Sequence, residues 1–201
     1  MTKILIIRHG NTFNPDEPAR RVGCKTDLPL TQSGIEQAKL LGHYLKKNNL
    51  RPSAVFASEL QRAQQTAQIM LHAAGLSEEV VTDKSFNEID HGPDENKTDA
   101  DVIERIGEQA LSDWTEFSVV PDGWIVDPRA VQQSWLDFAH QCVSDRAGDL
   151  TIVVSSGGII RFAPVVLPEP IENPKVKTAS MSMLSYDGEN WSCDFWNKRP
   201  E

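Results

Sequence analysis

The chain has 201 residues, 39% hydrophobic and 24% charged, with a formal net charge of -9. A chain of that length can bury a full core without disulfide or metal staples, so one compact domain over residues 1–201 is expected. No apolar run approaches the roughly 20 residues of a membrane span, and the opening apolar stretch is too short for a secretory leader. The acidic balance argues against bulk affinity for nucleic acid or anionic membrane, because such affinity rests on Lys and Arg neutralising phosphates.

Cys24, Cys142 and Cys193 are odd in number, far apart and without Cys-x-x-Cys spacing, which suggests neither a disulfide framework nor a zinc site. A reducing cytoplasm is the compartment that fits. No internal repeat or low-complexity segment is visible, and strands alternate with helices along the chain.

Lys3–Arg8 is a short continuous apolar run ending in a polar triplet and a glycine, the pattern of a strand buried on both faces of a sheet. Pro29–Gly34 marks a turn and a helix start, with Thr31 or Ser33 as N-cap; Ile35, Ala38, Leu41 and Leu45 then keep helical spacing as far as Asn48-Asn49. Ala54–Ala57 is a second buried strand. Ser58 and Gln61 after it have the spacing of a capping box for a helix carrying Leu60, Ala63, Ala67 and Met70.

Val80-Val81 begins another short strand. Residues 87–127, rich in Asp, Glu, Pro and Gly, predict loops and one or two helices over the sheet, with the acidic pair Asp94-Glu95 on a solvated face. Trp135, Phe138, Ala139 and Val143 predict a further helix, and Leu150–Val154 a strand ending in Ser155-Ser156-Gly157-Gly158. The alternating segment Ser180–Tyr186 meets Trp191–Trp196 across Asp187-Gly188 as a hairpin, whose outer strand offers an edge for pairing; the oligomeric state stays open. The aromatic residues read as packing. The expected fold is a three-layer α/β/α domain with a mostly parallel sheet and an antiparallel edge.

In open α/β sheets ligands bind beyond the carboxyl ends of the strands. The first strand delivers Arg8-His9-Gly10-Asn11-Thr12 there, and the strand ending at Ser155 delivers Ser156-Gly157-Gly158. Neutral imidazole is a nucleophile near pH 7 and Arg suits phosphate oxygens, so His9 beside Arg8 reads as a nucleophile for a phosphoryl group. The plain alternative is a strand-end histidine satisfied by a backbone carbonyl. For Arg62 the plain alternative is a solvated helix arginine.

Several blocks in order resemble the histidine phosphatase superfamily, the phosphoglycerate-mutase-like fold: Arg8–Thr12, Gly23 with Asp27–Thr31, Gly34 with Gln37-Ala38, Ser58–Ala63 with Thr66-Ala67, Asn87–Gly92 and Val153–Gly158. The resemblance implies that His9 is phosphorylated during turnover, that Arg8 and Arg62 clamp the phosphate, and that Asn11 offers another donor. It implies Glu88 as the acid that protonates the leaving oxygen and later activates water, with Asp90 a rival two residues on. It also implies no metal or organic cofactor.

The chain departs from the family pattern where a second histidine precedes the glycine of Ser-His-Gly, since Ser156 stands there, followed by Gly157. Serine donates one neutral hydrogen bond, worth roughly 0.5–1.5 kcal/mol against about 1.5–3 for a charged donor, which weakens catalysis without abolishing it. None of the other histidines convincingly fills that gap in this reading: His91 follows the acid segment and is at most within reach of the pocket, whereas His43, His72 and His140 fall on predicted helices in solvated or core roles. The implied activity is hydrolysis of a small phosphorylated substrate, favoured over a mutase because Asn11 replaces the acidic residue usual there and the chain is shorter. A catalytically weak or inactive phospho-ligand-binding module of the same fold is the rival, and removal of phosphate from protein side chains is a third reading. Residues 87–127 and the loop after Thr12 would set substrate identity.

Overall fold

The computed structural model describes residues 1–200. Six strands, β1 (Thr2–Arg8), β2 (Ala54–Ala57), β3 (Val80–Thr82), β4 (Leu150–Ser155), β5 (Met181–Tyr186) and β6 (Trp191–Lys198), form one sheet in the order β3-β2-β4-β1-β5-β6. The first four are parallel, and β5 and β6 add the antiparallel edge that the hairpin pattern predicts.

Side chains alternate along a strand, so a continuous apolar run must face two cores. In β1, Ile4 and Ile6 enter one apolar cluster and Leu5 and Ile7 the other, all four at 0–1% exposure. At roughly 1.5–3 kcal/mol for each buried aliphatic side chain, β1 is a strand where truncation would be costly. α1 (Gln32–Lys47) and α2 (Gln61–Ala74) cover the Leu5–Ile7 side with Leu41, Leu45, Ala63, Ala67 and Met70. α5 (Pro128–Asp145) covers the other side, where Phe138 meets Phe56 and Phe86 edge-on at 5.3 and 5.1 Å between ring centroids. α3 (Asp99–Ile106) and α4 (Glu108–Phe117) join that side through Val102, Leu111 and Trp114. The result is the three-layer α/β/α fold with a mostly parallel sheet.

Two helix starts depend on different chemistry. Thr31 caps α1 by accepting from Gly34 N, as one of the two predicted candidates. The capping box expected of Ser58 and Gln61 does not form. α2 begins one residue after Leu60, which has no side chain to cap with, and Asp27 from a distant loop accepts from Gln61 N at 2.7 Å instead. An acid 34 residues away satisfies the same orphan N–H, which a local spacing rule does not detect. Among the described residues no helix is long and apolar enough to cross a membrane.

Candidate active site

The site lies beyond the carboxyl ends of β1 and β4, held by contacts that leave the backbone little freedom. His9 N donates to Ser155 O, tying the end of β1 to β4. Gly10 N donates to Thr66 Oγ1, whose hydroxyl donates in turn to Arg62 O, so the turn after β1 is fastened to the first turns of α2. On the other side Gly10 lies against Gly34 at the start of α1: a Cβ on Gly10 would stand 2.7 Å from Gly34 O. Two glycines let the turn after β1 and the helix start touch backbone to backbone.

His9 is 6% exposed, and its Nδ1 lies 2.8 Å from Gly10 O. Burial, then the charges of Arg62 and Arg8, push its pKa well below the ordinary histidine value, opposed by the Gly10 carbonyl. The ring is therefore neutral, and an acceptor facing Nδ1 places its single proton there. Nε2 keeps its lone pair and has no protein hydrogen bond. The plain expectation of a strand-end histidine satisfied by a backbone carbonyl holds for Nδ1, and the same bond leaves Nε2 free.

Arg8, His9, Asn11, Glu88 and Gly157 line a single cleft of about 880 Å³. Arg8 Nη1 donates to Val176 O at 2.8 Å while its Nε is buried without a partner. Gly157 lies beneath that guanidinium, where a Cβ would stand 3.4 Å from Arg8 Cζ. Glu88 is held by backbone donors on both oxygens, Ile89 N at 2.9 Å and Gly158 N at 3.1 Å, which joins the segment after the 3-10 turn Lys84–Phe86 to the start of the short helix α6 (Gly157–Ile160). Asn11 presents Oδ1 to Thr178 Oγ1 and Nδ2 to Ser33 Oγ, so its orientation is fixed by α1 and the segment before β5.

Arg62 and Ser156 lie behind the cleft wall, both 0% exposed. Arg62 donates through Nη1 to Thr26 O and through Nη2 to Val22 O and Gly23 O, leaving Nε buried without a partner. It is not a solvated helix arginine; it shapes the 22–26 loop and adds charge next to His9. Ser156 Oγ is likewise sealed with no hydrogen-bond partner. Asp90 separates from Glu88, its carboxylate 2.7 Å from Lys25 Nζ and outside the cleft lining.

The expectation of a solvated Asp94-Glu95 pair is corrected. Asp94 is 2% exposed, bonded by Arg105 through Nε at 2.7 Å and again through Nη2, and by Trp124 Nε1 at 2.7 Å. Glu95 accepts from Gly23 N and His91 N. These partners lie in loops and on α3, so the surrounding sequence resembles an exposed acidic run although each carboxylate is paired. His43, His72 and His140 are exposed on their helices.

Sequence reasoning passed over Arg161. It stacks 4.2 Å over Trp114, donates through Nη2 to Trp114 O and Thr115 O, and lines the cleft. The only sequence signal was its place four residues after Gly157. Among the described residues no cluster of three or more His, Cys, Asp or Glu side chains could hold a metal ion.

A parallel sheet whose first strand ends in a buried neutral imidazole, with two arginines packed about it, is the architecture of phosphoglycerate-mutase-like α/β proteins. The chain belongs to the histidine phosphatase superfamily (branch 1), whose sequence pattern matches residues 4–199. It is 28% identical over 203 residues to the Yersinia pestis (strain Pestoides F) protein named Probable phosphoglycerate mutase GpmB, covering 98% of this chain and 90% of that one. It superposes on the native structure of a mycobacterial glucosyl-3-phosphoglycerate phosphatase with a TM-score of 0.80 at 23% identity, over 99% of this chain and 100% of the other, a likeness of fold. The alpha-ribazole phosphatase from Shigella flexneri gives a TM-score of 0.76 at 25% identity, over 98% and 96% of the two chains.

Proposed function

We propose that this protein is a phosphatase that hydrolyses a small phosphomonoester through a phosphohistidine at His9. The carrying observation is the His9 ring: neutral by burial, its Nδ1 engaged by Gly10 O, and Nε2 unpartnered in a cleft shared with Arg8 and Glu88.

In the first step Nε2 attacks phosphorus and the ester P–O bond breaks, while a protonated Glu88 gives its proton to the leaving oxygen. Arg8 offers its free donors to the phosphoryl oxygens, and Arg62 contributes charge from behind. In the second step water attacks phosphorus as Glu88 takes its proton. The N–P bond then breaks, releasing phosphate and restoring neutral His9 with the proton on Nδ1.

Hydrolysis is favoured over mutase chemistry by Asn11, which stands where the resemblance places an acidic residue, and by the likeness to an alpha-ribazole phosphatase. Incubation with labelled phosphomonoesters followed by quenching should leave acid-labile, base-stable phosphate on the protein. A folded protein that takes no label overturns the reading. The second reading, a phosphate-binding module with little turnover, draws on the neutral, sealed Ser156; it requires phosphate binding without turnover, whereas the enzyme shows turnover that His9→Ala abolishes.

A further inference from the structure

Resting on that phosphatase reading, we propose that His91 supplies the imidazole that position 156 does not. When a phosphomonoester dianion binds, His91 takes one proton from solvent, its Nδ1–H closes onto Glu95, and its Nε2–H donates to the bound anion.

Three observations meet at this residue. His91 is 6% exposed, and the exposed part faces the cleft that also holds His9, Arg8 and Glu88. Its Nδ1 is sealed from solvent and makes no hydrogen bond, lying 3.5 Å from Glu95 Oε2 in a long ion-pair contact. Nε2 has no protein partner and is not a sealed atom, so the sealed Nδ1, held only by its long contact to Glu95, is the nitrogen that costs stability until a charged ring can bond through it.

The ring is held in place. His91 N donates to Glu95 Oε2, Asp94 N donates to His91 O, and Trp124 packs edge-on at 4.5 Å. Glu95 is fixed separately by Gly23 N, and Gly23 O accepts from Arg62, so the carboxylate behind His91 and the guanidinium behind His9 share one loop.

The surrounding charges are poised rather than decisive. Glu95 on the following turn favours the protonated ring throughout, and Glu88 on the same segment does so only while it is ionised. Burial and Arg21, which pairs with Asp99 on α3, oppose it. Asp90 and Asp94 are already paired, with Lys25 and with Arg105 of α3. Burial prevails in the free protein and keeps His91 below its ordinary pKa. An incoming dianion adds negative charge on the side where the ring is open, which reverses the balance. Ser156, neutral and behind the wall, cannot respond in this way.

The test is binding of inorganic phosphate to the full chain near pH 7.5, followed by calorimetry in two buffers of different ionisation heat and by nitrogen NMR of the histidine rings. The expected result is proton uptake on binding, His91 nitrogen shifts moving to the imidazolium range, and loss of the uptake in His91→Gln with kcat/KM lowered about tenfold or more. Phosphate binding with His91 still neutral overturns this proposal and leaves the phosphatase reading intact. Failure of the folded wild type to bind phosphate removes both. The wild-type NMR experiment decides the matter even if His91→Gln folds poorly.

Discussion

Nδ1 of His9 lies 2.8 Å from the carbonyl oxygen of its neighbour Gly10, a bond that assigns the proton of the ring before any substrate arrives. Its consequence is kinetic. A neutral ring with a fixed tautomer needs no deprotonation to attack, so the acid limb of kcat/KM owing to this group should fall below the ordinary histidine pKa of about 6.5. The stability sign follows from the same shift. The unfolded chain protonates His9 below about pH 6.5 and the folded chain resists it, so stability is present above that pH and is lost as pH falls towards the lower folded value. His9→Gln should abolish labelling, lower kcat on the order of a thousandfold or more, and lessen this acid sensitivity in thermal melts.

Glu88→Gln tests proton delivery. Phosphate binding should survive, because Ile89 N and Gly158 N bond different oxygens of Glu88 and the amide oxygen of Gln still accepts from one of them, while the other loses its acceptor. Turnover of an alkyl phosphate should fall by roughly a hundredfold to ten-thousandfold. With a nitrophenyl phosphate, whose leaving group needs no proton, formation of the phosphoenzyme should be much less affected, and rapid-quench kinetics separates the two steps. Equal losses on both substrates would assign Glu88 to positioning.

Arg62→Lys keeps the charge and loses the fork. One ammonium cannot replace three bonds to Val22 O, Gly23 O and Thr26 O. Leaving part of that carbonyl set unpaired should cost about 2–4 kcal/mol, read as a lower Tm, together with weaker binding of orthovanadate. Arg62 on an open helix face would have produced neither change.

Ser156→Ala separates stability from function. A hydroxyl sealed without a partner carries a desolvation cost of about 1–3 kcal/mol, so its removal should raise Tm. If the hydroxyl turns to a phosphoryl oxygen in the complex, phosphate affinity falls by up to about tenfold. A variant more stable than wild type and unchanged in binding would show that Ser156 has no part in the site.

The legible parts of this chain are those whose partners are close in sequence or repeat at a fixed period. The double-faced run of β1, the spacing of Leu41 and Leu45, and the alternation through Met181–Tyr186 each report local geometry. Motif order then pointed to Arg8, His9 and Glu88, which share one cleft. What escaped depends on distant pairing. Asp27 caps a helix that begins at Gln61, Arg105 neutralises Asp94, and Arg161 reaches the carbonyls that end α4. None of these partners shares a helix turn or strand register, so no periodicity records them.

Arg62 anchors itself to three carbonyls of its own chain and keeps only its inner nitrogen unengaged. The local potential felt by an entering anion is therefore tied to how well residues 22–26 stay folded. A nick, a bulky label or a binding protein that peeled this loop away would release the cation from its seat and disarm the centre without touching any group that meets the substrate.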